Sequence, residues 1–134
     1  MKKSGFSLFE LLVVISIIGI IVAVGMTSYS SAQKRARDAK RKQDMQAVHN
    51  ALEQYYGVNS AYIAGCNPGS EFLPGGLPSD PKGDSYVYSW LCNVDGYCIC
   101  AHLETSGSGN ADGVGTANAC SYVTGDYYCL QGVQ

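Results

Sequence analysis

The sequence predicts an α+β fold: one long N-terminal α-helix, membrane-spanning in its first half and amphipathic in its second, packed on a small antiparallel β-sheet of about three strands. Three observations predict this fold. Residues 6–26 are almost uniformly hydrophobic, and residues 27–56 carry apolar side chains at helical spacing. Residues 57–134 combine Gly-rich and Ser-rich stretches with short β-like runs and contain all six cysteines.

The apolar segment is long enough to cross a bilayer, since a helix over residues 6–26 would be about 31 Å long. A cleaved secretory signal is disfavoured, because its apolar region is usually only about 7–15 residues and ends at a small-residue site. Residues 1–5 form a short basic leader. Glu10 is the acidic exception in the apolar run, and a carboxylate in lipid costs roughly 2.5–3.5 kcal/mol without a partner. Glu10 is therefore a candidate functional residue.

The helical pattern continues through the stem, residues 27–56. A stripe of mostly small residues is followed by a stripe of larger ones: Tyr29, Ala32, Ala36 and Ala39, then Met45, Val48, Leu52 and Tyr55. The first stripe suits the close approach of a neighbouring helix, and the second is predicted to cover one face of the sheet. No proline precedes Pro68, and Gly57 is predicted to cap the helix near Tyr56.

Charge is distributed unevenly along the chain. Residues 34–42 contain the basic belt, which comprises Lys34, Arg35, Arg37, Lys40, Arg41 and Lys42. Residues 43–134 are acidic and have Lys82 as their single Lys or Arg. This asymmetry argues against nucleic-acid binding by the whole protein. The belt is predicted either to meet the acidic heads of adjacent copies or to face solvent or anionic lipid.

The head, residues 57–134, is predicted to contain a hairpin and a third strand. The hairpin comprises residues 86–94 and 97–103, joined by a tight turn at Asp95 and Gly96, a pair that tolerates positive φ. Residues 126–134 are predicted to form the third strand. Residues 56–85, with all four prolines, read as an irregular connection, and residues 104–120 as a flexible loop.

The even number of cysteines behind a membrane segment predicts a disulfide framework in an oxidising compartment. The six residues are Cys66, Cys92, Cys98, Cys100, Cys120 and Cys129, and they allow fifteen pairings. Cys98 and Cys100 share one face of a strand and Cys92 lies on the adjacent strand, which favours bonds from these three to the other three. A bond between Cys120 and Cys129 is an open alternative. A metal-thiolate site using Cys98, Cys100 and His102 is disfavoured, because no second ligand pair follows.

The leader ending in Gly5, the segment FSLFELLVVISIIGIIV, and the helix ARDAKRKQDMQAVHNALEQYY together resemble the type IV pilin family, including the pseudopilins of type II secretion. The segment LPSDPKGDSYVY is similar to the pseudopilin members. The resemblance implies cleavage between Gly5 and Phe6 by a prepilin peptidase and N-methylation of Phe6. It also implies that Glu10 engages the new N-terminal amine of a neighbouring subunit. Many relatives have a proline near Thr27, which kinks the stem or lets it melt locally on assembly. In this sequence only Gly19 and Gly25 could serve that role.

The resemblance implies a non-enzymatic subunit of a type IV pilus-like filament, with a type II secretion pseudopilin or minor pilin as the alternative. A membrane-anchored redox or metal-binding domain is the more remote one. The implied partners are copies of itself, membrane lipid before assembly, the peptidase and the pilus assembly machinery. The implied location is a single pass through the inner membrane with the head outside, then a surface pilus or periplasmic pseudopilus.

No cofactor is expected, with Ca²⁺ as a weak possibility. By resemblance to a head loop of major pseudopilins, Asn110, Asp112 and Asp126 are weak candidates for its ligands, although solvated side chains are the favoured interpretation. His49 has no partner acid and nucleophile at readable spacing, so it is expected to be a surface or packing residue.

Overall fold

A computed structural model describes residues 5–83 and 86–133 of the chain. The predicted leader, apart from Gly5, lies outside the described residues. The chain forms two compact units, residues 1–33 and residues 34–134. Within the described residues, the first is helical from Leu8 onward, and the second contains the rest of the helix and the β-strands.

Helix α1 runs from Leu8 to Asn59. Its predicted end at Tyr56, with Gly57 as the cap, is wrong, because Gly57 lies within the helix. Ser60 instead takes the left-handed conformation at φ 56°, and its amide donates to the Tyr56 carbonyl at 2.7 Å. The Asn59 side chain donates to the Tyr55 carbonyl at 2.9 Å. The Ser60 amide satisfies one carbonyl of the last helical turn, which a helix end can otherwise leave unpaired, and the Asn59 side chain adds a second donor to the preceding one.

Three antiparallel strands form the main sheet in the order β1-β2-β5. They are β1 (Ser89–Cys92), β2 (Gly96–His102) and β5 (Tyr127–Val133). The predicted hairpin and third strand are confirmed. The central strand β2 pairs with both neighbours, and Cys100 lies opposite Cys129 in its register with β5.

The hairpin turn differs from the prediction by one residue. Because Cys92 pairs with Tyr97 and the Asn93 amide donates to the Gly96 carbonyl, the two turn residues are Val94 and Asp95. Neither Asp95 nor Gly96 has positive φ. The Asn93 side chain accepts hydrogen bonds from the amides of Asp95 and Gly96 at 2.9 and 2.8 Å. An asparagine side chain thus organises this turn, and glycine freedom is not used.

The prediction of a flexible loop over residues 104–120 is wrong. This stretch contains strand β3 (Gly113–Thr116) and the beginning of β4 (Ala119–Ser121). These two strands form a second, two-stranded antiparallel sheet. Its glycines allow close packing: a Cβ at Gly109 or Gly115 would overlap a backbone carbonyl. The composition that suggested flexibility therefore serves tight backbone approach.

The core of the head lies between α1 and β2. Met45, Val48 and Leu52 are fully buried and pack in one cluster with β2 residues, which confirms these three members of the predicted second stripe. Its fourth member is wrong, because Tyr56 packs against this cluster and Tyr55 contacts Phe72. Each such aliphatic side chain contributes about 1.5–3 kcal/mol on burial. Successive β2 side chains alternate: Tyr97 and Ile99 join this cluster, whereas Cys98 and Cys100 join a smaller one with β3, β4 and β5 residues. Strand β2 is thus covered on both faces.

Candidate functional site

The N-terminal segment begins with an interlocked helix cap. The Glu10 carboxylate accepts a hydrogen bond from the Ser7 amide at 3.0 Å, and the Ser7 hydroxyl accepts one from the Phe9 amide at 3.3 Å. Ser7 and Glu10 stand in the S-x-x-E spacing of a capping box. The capping role of Glu10 was not predicted, although its spacing from Ser7 in the sequence indicates it.

The cap orients Glu10 toward the start of the helix. Its carboxylate lies exposed beside the turn that contains Phe6 and Ser7. Cleavage before Phe6 would create an ammonium group at this end. An ionised carboxylate has roughly four acceptor positions, so capping does not consume its capacity to bind a second donor. The arrangement suits a carboxylate that both starts its own helix and receives an amine from another chain.

Mostly apolar side chains cover the helix over residues 6–26. From Phe6 to Met26 every residue is exposed, with Phe6 at 85% and Leu8 at 82%. The helix is long and apolar enough to cross a membrane, and none of its most apolar window is buried. An apolar surface of this extent requires lipid or protein to cover it.

Three glycines in this segment lie in open space. A Cβ at Gly5, Gly19 or Gly25 would meet no atom within 4 Å. Gly19 and Gly25 lie within α1, and a helical glycine costs about 1 kcal/mol relative to alanine. Among the described residues, no contact requires glycine at these positions.

A buried ionic cluster joins the stem to the head loops. Arg41 has no exposed surface and donates to three carboxylates: two bonds to Asp80, one to Asp38 at 2.8 Å and one to Glu104 at 2.9 Å. Arg37 adds two bonds to Glu104. In the sequence, Arg41 was assigned to the basic belt and the cluster was not predicted. Asp38 lies three residues from Arg41, but Asp80 and Glu104 are distant in sequence, so no local pattern indicates that they meet it.

The cluster shifts the titration of its acids. Hydrogen bonding from Arg37, against the opposing effect of burial, holds the pKa of Glu104 well below its ordinary value. Burial raises the pKa of Asp38, but hydrogen bonds from the amides of Glu104 and Thr105 and from Arg41 outweigh it, so this pKa is lowered as well. Both carboxylates are therefore ionised at neutral pH and bind their cationic partners.

Most of the basic belt is engaged within its own chain. Lys40 pairs with Asp44 at 2.7 Å, and Lys42 donates to the Ser108 carbonyl at 3.1 Å and lies over the Tyr128 ring. Arg37, Arg41 and Lys42 therefore bind the head of the same molecule, whereas Lys40 pairs within the stem helix. Lys34 and Arg35 are exposed and are the belt residues best placed to meet another surface.

The six cysteines form three disulfides: Cys66–Cys92, Cys98–Cys120 and Cys100–Cys129. The prediction that the three cysteines of the hairpin bond to the other three is confirmed. The alternative Cys120–Cys129 bond is wrong. The four sulfurs of the last two disulfides lie within 4.8 Å of one another. Because they are bonded in pairs, they do not form a thiolate site. The His102 ring packs against Tyr86 and Tyr127, so its contacts are those of a packing residue.

The weak calcium candidates have separate partners in the structure. Asn110 exchanges two hydrogen bonds with the backbone of Cys129. Asp112 accepts from the Ser121 hydroxyl, and Asp126 accepts from Ser106 and the Gly107 amide. These contacts tie loops together within the head and give each side chain a structural role.

His49 belongs to a half-buried polar network. Its Nδ1 lies 2.6 Å from the Tyr97 hydroxyl, which donates to Glu53 at 2.6 Å. Burial, with the Glu53 hydrogen bond as the second cause, raises the pKa of Tyr97, which keeps its hydroxyl protonated as the donor. His49 is therefore a packing residue of the helix–sheet interface.

Comparison with known proteins identifies the class. Residues 1–26 match the prokaryotic N-terminal methylation motif family. The chain is 28% identical over 137 residues to type II secretion system core protein G of Vibrio cholerae, covering 87% of this chain and 93% of that protein. The corresponding protein of Escherichia coli is 31% identical over 104 residues, covering 64% of this chain and 71% of that protein.

A pilin also matches over a shorter span. Type IV major pilin protein PilA of Myxococcus xanthus is 28% identical over 61 residues, covering 46% of this chain and 28% of that protein. No solved structure gives a significant match. With its long N-terminal helix, small antiparallel sheet and methylation motif, the chain belongs to the type IV pilin and pseudopilin family. This family consists of structural subunits.

Proposed function

We propose that the chain is a structural subunit of a type IV pilus-like filament and that it polymerises through its N-terminal helix. The observation that carries this proposal is the fully exposed apolar surface over residues 6–26, led by Glu10 in a helix cap. In a bilayer, lipid covers this surface. In a filament, the same surface of neighbouring subunits covers it.

Processing precedes assembly in this proposal. A prepilin peptidase cuts between Gly5 and Phe6 on the cytoplasmic face, and the new amine of Phe6 is methylated. The four domains are the leader at residues 1–5, the polymerisation helix at 6–26, the stem at 27–56 and the disulfide-bonded head at 57–134. The head lies outside the inner membrane, in the oxidising compartment that its cysteines need. The filament then extends as a surface pilus or a periplasmic pseudopilus.

Glu10 selects and registers the incoming subunit. An unpaired carboxylate in lipid is costly, and pairing with the Phe6 amine of a neighbour removes that cost. The capping box adds a complication, because loss of Glu10 removes the cap as well as the charge. Glu10→Gln separates the two effects, since glutamine also occupies this position of a capping box but carries no charge.

The test compares filament yield from cells that contain equal amounts of membrane-inserted Glu10→Gln, Glu10→Ala, Ser7→Ala and wild-type chain. We expect both Glu10 variants to insert normally and to lose filaments, because each removes the paired charge. Ser7→Ala should assemble normally, because it weakens the cap and keeps the carboxylate. A wild-type filament yield from Glu10→Gln would show that Glu10 acts only as a helix cap.

A type II secretion pseudopilin is the second candidate. The observation that favours it is the match to core protein G of Vibrio cholerae, which spans 93% of that protein. Deleting the gene distinguishes the candidates: loss of surface filaments supports the pilus, whereas loss of exoprotein secretion with surface filaments unchanged supports the pseudopilus.

A further inference from the structure

The three disulfides differ in how they follow the order of the cysteines along the chain. Cys66–Cys92 joins two consecutive cysteines. The other two disulfides interleave, because Cys100 lies between Cys98 and Cys120, and Cys120 lies between Cys100 and Cys129. An oxidant that joins cysteines in their order of appearance makes the first bond correctly. It then makes Cys98–Cys100 and Cys120–Cys129, neither of which is native.

We propose that maturation of the head requires a thiol–disulfide isomerase as a partner, acting on the interleaved cysteines before β3 and β4 pack onto β2. The interleaved cysteines are Cys98, Cys100, Cys120 and Cys129. The proposal rests on the proposed position of the head in an oxidising compartment. It adds a partner and a reaction that must precede filament assembly.

Chain entropy does not select the native pairs. The native loops span 22 and 29 residues. The swapped arrangement, Cys98–Cys129 with Cys100–Cys120, has loops of roughly 31 and 20 residues, and the combined closure probabilities differ by only about 4%. The Cys120–Cys129 loop, at roughly 9 residues, closes more readily than either native loop, and the Cys98–Cys100 loop is too short for this scaling to apply. Loop closure in the unfolded chain thus gives the native pairs no advantage.

The folded register is what distinguishes the native pairs. Cys100 lies opposite Cys129 on the neighbouring strand. Cys98 and Cys100 point to the same face of β2, and their sulfurs lie 3.6 Å apart. The two β2 cysteines are equivalent until the strands have paired. Correct pairing therefore needs bonds that can break and re-form while the sheet is forming.

Burial sets the time at which exchange must occur. In the folded head Cys98 and Cys129 are fully buried and Cys100 is 1% exposed. Exchange needs direct access of an attacking thiolate to a disulfide sulfur. Cys120 is only partly buried. Once β3 and β4 cover β2, neither an isomerase nor a small thiol reaches the other three sulfurs, so a wrong bond between two of them stays in place.

The exchange balances without net oxidation. Forming the three disulfides from six thiols transfers six electrons to three equivalents of a disulfide oxidant. An isomerase thiolate then attacks one sulfur of a wrong bond, forming a mixed disulfide and releasing a chain thiolate. The released thiolate attacks the second wrong bond, and a chain thiolate finally displaces the isomerase as the thiolate that entered.

The test maps disulfides in the full chain, isolated from the membranes of bacteria that have or lack their periplasmic isomerase. Free thiols are alkylated first, and a protease that cleaves before aspartate then separates peptides 95–111, 112–125 and 126–134. Native pairing links all three peptides. The Cys98–Cys100 isomer leaves peptide 95–111 alone, and fragmentation between Cys98 and Cys100 identifies the swapped isomer.

With the isomerase we expect nearly all molecules to be native. Without it, four cysteines have three possible pairings, so the native fraction should fall at least threefold while Cys66–Cys92 stays intact. An unchanged native fraction without the isomerase would overturn the proposal. Six free thiols in both strains would overturn the proposed location of the head and this proposal with it.

Two double variants serve as matched controls. Cys100→Ser with Cys129→Ser, and Cys98→Ser with Cys120→Ser, each leave four cysteines whose native pairs are consecutive. Their disulfide pattern and accumulation should not depend on the isomerase. If both controls lose native pairing as strongly as the wild type in its absence, the enzyme acts by something other than reshuffling and the proposal fails. The two variants remove different bonds, which guards against a folding defect in one of them.

Discussion

Replacing Arg41 with methionine should destabilise the head severely. Methionine keeps much of the aliphatic length of arginine but removes four hydrogen bonds to three buried carboxylates. Glu104 retains Arg37 and Lys82 as cationic partners. Asp80, whose side chain is 2% exposed, keeps only the Lys82 amide as a donor among the described residues. A buried carboxylate without its cation is the main cost.

Breaking a buried ion pair by removing one partner costs about 3–5 kcal/mol, because it leaves an uncompensated buried charge. For a head of this size, each kcal/mol lowers the melting temperature by about 4–8 °C. We therefore expect a fall of at least about 12 °C at pH 7.

The assay is thermal unfolding of the full chain in detergent micelles with its disulfides intact, followed by the fluorescence of Trp90, the single tryptophan. Arg37→Met is the control. It should lose clearly less stability, since Glu104 keeps Arg41. A deficit below about 1 kcal/mol at pH 7 would show that Asp80 does not depend on Arg41 for its charge compensation.

Three further predictions concern processing, pH and salt. Gly5→Leu should block cleavage of the precursor, so that intact-mass measurement finds the leader retained. A Cβ at Gly5 meets no atom within 4 Å among the described residues, so a block would not come from a clash within the chain. The control variant Gly19→Leu should be processed normally. The pKa values of Glu104 and Asp38 are lowered in the folded head. The stability that these two carboxylates contribute is therefore present above pH 4–5 and declines as they are protonated below about pH 4. A melting temperature that stays constant down to pH 2 would contradict this. If belt residues contact neighbouring heads, Lys34→Glu with Arg35→Glu should weaken filaments at low salt, and added salt should weaken wild-type filaments; indifference to both would leave a solvated or lipid-facing belt.

The sequence predicted those features that depend on periodicity and composition. The apolar run, the stripe through Met45 and Leu52, and the three main strands each repeat over several residues, so one misplaced residue does not hide them. The face shared by Cys98 and Cys100 likewise restricted their partners correctly. These signals are local, and the fold preserves them.

The features that were missed depend on contacts distant in sequence or on one side chain. Arg41 looks like any other residue of a basic run until Asp80 and Glu104 are brought to it. The glycines near β3 looked flexible because composition does not show that the backbone of Tyr127 passes against Gly109. The turn was misplaced because Asn93, outside the predicted pair, organises it.

The role of Glu10 was only half predicted from the sequence. The cost of a carboxylate among apolar residues drew attention to its charge, and the S-x-x-E spacing with Ser7 was not considered. The structure adds the cap, which places the carboxylate at the start of the helix. Pairing with a neighbour remains a prediction, because it requires a second chain.

A density map of the assembled filament would show whether the chain polymerises through its N-terminal helix. We expect the chain to begin at Phe6, with the Glu10 carboxylate of one subunit within about 4 Å of the Phe6 nitrogen of a neighbour, the distance of an ion pair. We also expect residues 6–26 of adjacent subunits to cover one another in the filament core. A filament in which Glu10 faces solvent or contacts only its own chain, with the apolar helices apart, would rule out this mode of assembly.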